Sequence, residues 1–285
     1  MKISVIIVCK NEKDTIAKTI DSVFSQNYKD FEILVLDGNS TDGTIEILKS
    51  YRERIKLIKN QGNGIYSAMN EGIRLSTGDI LYFLNANDSL FSNDVFKKII
   101  RKFEAENCDL IYGDTNFQSK DKAGNLVNTL ISHRDFYSRF VWAYRNINHQ
   151  STFYKKWLFD EYGSYDQYEF KILADVEFTT NVILQEKVKH LYVPIIIANY
   201  NTEGISSHNN PENIIISKEE KEAIAKKYLN FEYKLFQIYN FFFANSLTNS
   251  FNEFLKKAFG LGLIYKIRDF KRGLGRIFIW WTRKI

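Results

Sequence analysis

The stretch LNANDSLF, residues 84–91, places three oxygen-bearing side chains, Asn85, Asn87 and Asp88, directly after DILYF, a run apolar enough to be a buried strand. Such residues are turn formers, because Asn and Asp bond their own backbone and tolerate unusual φ. They are equally oxygen ligands aimed at something charged. Asp37 closes a second apolar run, FEILVLD, and Asn11 and Glu12 follow a third, SVIIVC. Carboxylates and amides at these points can accept hydrogen bonds from N–H and hydroxyl groups and can hold a hard cation. The chemistry becomes specific only if the loops that carry them meet.

The elements around them predict that they do. SVIIVC (4–9) is continuous and apolar, the pattern of a strand buried on both faces. Ile16, Ile20, Val23 and Phe24 then recur at helical spacing. FEILVLD (31–37), IKLIK (55–59) and DILYFL (79–84) are further strands. Between them lie a helix carrying Ile45 and Leu48, with Ser40, Thr41 and Asp42 as plausible caps, and another with Ile65, Ala68, Met69, Gly72 and Ile73 on one face. Val95, Ile99, Ile100 and Phe103 mark the next helix. Alternation at this spacing predicts βαβ units, a largely parallel sheet and helices on both faces. In such sheets ligands bind beyond the carboxyl ends of the strands. The loops starting at Cys9, Asp37 and Asn85 all lie at those ends, so they can converge on one cleft. Residues 109–155 read as mixed strands and loops, followed by a helix near 174–187, strand near 188–200 and helical character from about 217.

Composition bounds the class. The chain has 285 residues, 45% hydrophobic and 26% charged, which suits one large α/β domain or a domain with an appendage. Cys9 and Cys108 offer neither a disulfide framework nor a metal spacing, which points to a cytoplasmic protein. The N-terminus has no signal-peptide pattern. The longest uncharged stretch, 235–252, carries too many Asn, Ser, Thr and Gln residues for a bilayer core, so no transmembrane helix is expected.

The ordered set SVIIVCKNEKDTIAKTIDSVFSQNYKDFEILVLDGNSTDGT, NGIYSAMNEGI and GDILYFLNANDSL resembles the successive motifs of family 2 glycosyltransferases, over roughly residues 1–205. The resemblance implies a GT-A fold and an inverting enzyme that uses a nucleotide-diphosphate sugar, with UDP as the expected nucleotide. A composition shift near 215 is the candidate boundary between a glycosyltransferase domain over 1–215, with a nucleotide-binding half (1–110) and an acceptor-binding half (111–215), and a helical extension over 216–285. Asp37 then accepts from the base or ribose, with Gly38 where the family usually has a second acid. Asn11 and Glu12 face the nucleotide. Asp88 matches the family's metal-binding acid and Asn87 replaces that acid's usual partner, leaving an amide for the ribose. A Mn²⁺ or Mg²⁺ ion would take Asp88 plus phosphate oxygens and water. EFKILADVEFTTNVIL resembles the family's acidic motif at a helix start, with Asp175 as the base that deprotonates the acceptor hydroxyl. NHQSTFYKKWLF resembles the segment in which His149 and Gln150 position acceptor or donor sugar, and GISSHNN offers His208 as a further metal ligand.

The C-terminus has its own character. Residues 256–285 hold nine basic residues against Asp269 alone, with Leu263, Ile267, Phe270, Leu274, Ile277 and Trp281 at helical steps. A basic amphipathic helix with Trp fits the surface of an anionic membrane, and would suit a lipid-linked glycan acceptor made for a surface polysaccharide at the inner membrane face. The alternative is packing on a protein surface. No nucleic-acid-binding motif accompanies the charge. Gly38 and Asn87 motivate a second functional reading, a non-catalytic nucleotide-sugar or glycan-binding scaffold. A nucleotidyltransferase would need a glycine-rich phosphate loop after the first strand, where CKNEKDT has no glycine.

Overall fold

The computed structural model describes residues 1–60, 64–121, 123–134, 147–202, 211–230 and 233–234. His208, the 235–252 stretch and the basic C-terminus lie outside the described residues. The chain divides into two compact units, Met1–Arg134 with Asn146–Glu222, and Asp135–Arg145 with Ala223–Ile285. The sheet and every residue of the site described below belong to the first.

Four parallel strands come first: β1 (Ile3–Cys9), β2 (Phe31–Asp37), β3 (Lys56–Lys59) and β4 (Ile80–Phe83), in the order β3-β2-β1-β4. β1 and β2 are in register from Ile3–Phe31 to Cys9–Asp37, so both end at the same level. The helices between them are α1 (Ile16–Phe24), α2 (Thr44–Ser50) and α3 (Ile65–Leu75), and α4 (Val95–Ala105) follows β4 and the two-residue β5 (Ser89–Leu90). Ile3, Val5 and Ile7 of β1 pack in one core with Ile16, Ile20 and Val23 of α1 and with Val95, Phe96, Ile99 and Phe103 of α4. The alternate residue Ile6 faces α3 on the opposite side of the sheet, where Gly72 sits so close that an added Cβ would lie 2.6 Å from its Cγ2. This period-two division is the reason the strand reads as apolar throughout.

Beyond β4 the sheet is mixed rather than parallel. β6 (Leu110–Lys120), β7 (Leu126–Ile131), β8 (Thr152–Lys155) and β9 (His190–Asn201) extend the order as β4-β8-β6-β9-β5, with β7 paired to β6. β8 runs antiparallel to both β4 and β6, while β6 and β9 are parallel. The parallel expectation therefore holds for the first half and gives way where a strand enters without a βαβ crossover. α5 (Trp157–Tyr162), α6 (Ala174–Ile183) and α7 (Pro211–Tyr228) complete the described elements. The expected boundary between 215 and 216 falls within α7.

Under α6 lies an aromatic cluster. Phe159 and Phe178 stack with ring centroids 4.2 Å apart, and Tyr165 meets Phe83, Phe159, Phe178 and Tyr66 edge-on or tilted. Such packing fixes α6 against β4 and α3 with little freedom to shift. Replacing Gly72 by Ala forces a methyl group onto Ile6 and Leu36, an overpacking that is expected to cost about 1–3 kcal/mol. Urea unfolding of Gly72→Ala checks this; an unchanged midpoint would contradict the close approach.

Candidate active site

The loops after β1, β2 and β4 leave neighbouring strand ends, with Cys9 level with Asp37 and the Ala86 N–H donating to Val8 O at 3.2 Å. Each contains a non-glycine residue with left-handed backbone, and in each it is an asparagine: Asn11 (φ 57°), Asn39 (φ 63°) and Asn87 (φ 80°). Asparagine tolerates this region better than other side chains do. The first two loops interlock. The Asn11 backbone N–H donates to Ser40 Oγ at 2.8 Å and the Thr41 N–H donates to Asn11 Oδ1 at 2.9 Å. Asp37, 1% exposed, accepts from the Ser40 N–H and from its hydroxyl. Asp37 and Asn11 thus meet through Ser40, and neither caps its own helix. The Glu12 N–H donates to Thr44 Oγ1 at 2.8 Å. Asp42 accepts from the N–H and hydroxyl of Thr44, while Gly43 takes the cap position of α2 with φ 107°.

LNANDS is both a turn and a site. The Asp88 N–H closes back on Asn85 O at 3.1 Å, and Thr19 of α1 donates to Asp88 O at 2.7 Å. Yet the Asp88 carboxyl points inward and is 4% exposed. Its Oδ1 accepts from the Asn201 N–H and its Oδ2 from Gln150 Nε2, each at 2.8 Å. Burial drives its pKa up to about 7, with these two hydrogen bonds and His149 opposing the rise and Glu12 adding to it. Asn87 Oδ1 accepts from Asn201 Nδ2 at 3.0 Å, which ties the same turn to β9.

Gln150 belongs to a single 3-10 turn, His149–Ser151, immediately before β8. Tyr82 of β4 donates its hydroxyl to Gln150 O at 2.8 Å and fixes the height of the turn. Gln150 reaches Asp88, and its neighbour His149 reaches the other carboxylate: His149 Nδ1 lies 2.8 Å from Asp175 Oδ2. The sequence-predicted residues 88, 149, 150 and 175 are therefore one connected array.

Asp175 sits in the first turn of α6, where the helix dipole favours an anion. Tyr66 of α3 donates to its Oδ1 at 2.7 Å. Burial pushes the Asp175 carboxyl up, but the hydrogen bonds from His149, the Tyr66 hydroxyl and the Val176 N–H outweigh it, and it lies below the usual carboxylate value. Tyr66 moves the other way: burial and the neighbouring carboxylate hold its phenol well above its ordinary value, so it remains a donor.

Two positioning residues, Tyr66 and Glu220, were not singled out by the sequence. Tyr66 reads there as one more large residue in GIYSAMNEGI; the buried face of α3 runs through Tyr66 rather than Ile65. Asn70, four residues on and so on the same helical face, clamps the backbone of Tyr165 with both ends of its amide, at 3.0 and 2.8 Å. Glu220 of α7 is 8% exposed and accepts from the N–H groups of Lys171, Ile172 and Leu173 just ahead of α6. It supplies from a distant element the acceptor that an N-terminal cap would supply locally. No local spacing announces a contact spanning some fifty residues.

Asp88 also fits a cation. Each of its oxygens has one hydrogen-bond donor, which leaves lone pairs available, and burial is the main cause of its raised pKa, a cost that a bound cation would offset. Among the described residues no three His, Cys, Asp or Glu side chains gather as a metal cluster. An ion here would draw its remaining ligands from a bound molecule and water.

A sequence profile described as Glycosyl transferase family 2 matches residues 4–176. A "PGL/p-HBAD biosynthesis glycosyltransferase" of Mycobacterium bovis is 32% identical over 221 residues, which cover 76% of this chain and 81% of that protein. Among solved structures, Staphylococcus aureus TarS 1-349 in complex with UDP-GlcNAc superposes with a TM-score of 0.58 at 20% identity, covering 90% of this chain and 81% of that one. Mannosyltransferase PcManGT from Pyrobaculum calidifontis, in complex with GDP-Man and Mn²⁺, gives 0.53 at 18% identity, over 70% and 56% of the two chains. At those identities the structural likeness concerns the fold.

Two predictions come from the buried acids. The Asp88 pKa is raised in the folded state, so the folded protein holds this proton more tightly than the unfolded chain does. Its contribution favours the fold at acidic pH and is lost as pH rises through about 7. Asp88→Asn is therefore expected to raise Tm relative to wild type more at pH above that value than below it, which melting curves across the range will show. Glu220→Ala leaves backbone donors before α6 without their acceptor, an expected loss of about 1–3 kcal/mol in chemical denaturation.

Proposed function

Because the chain belongs to glycosyl transferase family 2, and is a glycosyltransferase on that ground, we propose that this array moves a sugar from a nucleotide-diphosphate donor, a UDP-sugar, to a hydroxyl of a lipid-linked glycan, with inversion at the anomeric carbon. The observation that carries the proposal is the 3-10 turn whose successive side chains touch Asp88 on one side and Asp175 on the other. A displacement at carbon needs one group for the departing diphosphate and another for the incoming hydroxyl, held at a fixed separation. The turn, pinned by Tyr82, supports that arrangement.

Asp37, with Asn11 and Glu12 in the interlocked loops, receives the nucleoside, and Asn87 presents its amide to the ribose. A divalent cation, Mn²⁺ or Mg²⁺, held by Asp88 with diphosphate oxygens would neutralise charge developing on the leaving group. Asp175 supplies the basicity that removes the acceptor proton, and Gln150 keeps the Asp88 carboxyl oriented. His208 is assigned to the metal shell from its sequence position alone.

The lipid-linked acceptor is supported by the basic, tryptophan-bearing sequence of 256–285. Among the described residues no helix is long and apolar enough to cross a membrane, so we assign the membrane contact to that segment, at the cytoplasmic surface. A place in surface-polysaccharide assembly follows from such an acceptor.

Asp175→Asn is expected to retain the thermal shift given by UDP-sugar and Mn²⁺ while transfer falls by about 10²–10⁴-fold, the range for loss of a general base. Transfer at the wild-type rate would remove Asp175 from the reaction.

A further inference from the structure

We propose that the atom that takes the acceptor proton is Nε2 of His149, and that Asp175 acts through it as the residue that orients and polarises the imidazole. The proposal deepens the transfer reaction set out above and rests on it.

Both Asp175 oxygens are already engaged. Tyr66 donates to Oδ1 at 2.7 Å and His149 Nδ1 lies 2.8 Å from Oδ2, while the residue as a whole is 8% exposed. Each oxygen keeps a second lone pair, as at Asp88, but the phenol and the imidazole stand against the carboxylate and leave little of it open to an incoming hydroxyl. The other nitrogen of His149 differs: Nε2 is buried and has no hydrogen-bond partner among the described residues. Buried polar atoms of native proteins rarely lack partners, and one that does calls for an explanation such as a substrate-facing role.

The orphan position also bears on where the protons are. If Nε2 carried a proton, a buried N–H donor would be unsatisfied, and in the imidazolium form that penalty would fall on a charged group. The carboxylate at Nδ1 instead fixes the proton on that side and leaves Nε2 as a bare acceptor. Tyr66, which stays protonated, holds Asp175 as an anion that accepts and does not donate. The turn adds stiffness. Tyr82 fixes Gln150 O, Thr152 Oγ donates to Asn148 O at 3.1 Å, and Gln150 is anchored on Asp88.

The step then balances. The acceptor hydroxyl oxygen forms its bond to the anomeric carbon as its proton passes to His149 Nε2. The bond from the anomeric carbon to the diphosphate oxygen breaks, and its electron pair leaves with the diphosphate. The imidazolium formed is stabilised by Asp175 across Nδ1–H and afterwards releases the Nε2 proton to solvent. His149 is thus a catalytic residue and Asp175 a positioning residue, an oriented base of the kind that serves nucleophilic hydroxyls elsewhere.

Two measurements on the full chain test this. In long-range proton–nitrogen correlation spectra of histidine-labelled protein at neutral pH, with His149 assigned by the signals that His149→Asn removes, Nδ1 is expected to be protonated and Nε2 bare. In Asp175→Asn that preference is expected to be lost. A proton on Nε2 in the wild type, alone or together with one on Nδ1, overturns the proposal. The second measurement is nucleotide release from whichever UDP-sugar gives the largest thermal shift with Mn²⁺, water serving as acceptor. His149→Asn, whose amide still reaches Asp175, is expected to keep that shift and lose about 100-fold in release. His149→Gly is expected to recover part of the rate with added imidazole. Release by His149→Asn within about threefold of wild type overturns the proposal. If no nucleotide-sugar shifts the wild type, the donor assignment fails, and the His149 tautomer still decides the present proposal.

Discussion

Taking a carboxylate out of water is unfavourable unless donors replace the lost solvation, and two buried aspartates impose that requirement on the first unit of the molecule. Asp88 is answered by Gln150 and the Asn201 N–H, Asp175 by His149 and Tyr66. Two of those four donors come from adjacent residues of one short turn. The turn therefore cannot move without exposing an uncompensated charge, and β4, β8, β9, α3 and α6 are all tied to its position through it.

The two acids respond in opposite directions to similar burial. Asp88 has neutral donors and rises to about 7; Asp175, with an imidazole, a phenol and the start of a helix around it, falls below the usual value. The difference suits two roles. On the proposed function, the acid left short of positive charge would take a cation, and the one already paired would hold a base in place.

Most of the first hundred residues were legible because β1 and β4 are continuous apolar runs, β2 nearly so, and α1, α3 and α4 show a clear 3.6-residue period; Ile3, Val5 and Ile7 against Ile6 is that logic in the structure. The mixed half was less so. β7 is almost wholly exposed and β8 has only four residues, so neither has a hydrophobic signature to read. In the site, the residue types at 37, 88, 149, 150 and 175 could be named from ordered motifs, but their partners could not. Tyr66 meets Asp175 across 109 positions, and Glu220 meets the segment before α6 across nearly fifty. Contacts of that range are decided by packing, which local pattern does not encode. The apparent turn chemistry of LNANDS was real as well: the segment turns through its backbone while the Asp88 side chain is buried against Gln150 and the Asn201 N–H.

The three left-handed asparagines at the rim have one more implication. A glycine would permit the same backbone but would leave the loops free to explore many others. Asparagine narrows that choice, and at Asn11 and Asn87 the amide is also bonded to a neighbouring loop or strand. Such a mouth has little conformational freedom left to surrender when a guest arrives. On the proposed function, these loops would take a sugar nucleotide as a preset mould and turn away one that needs them to yield.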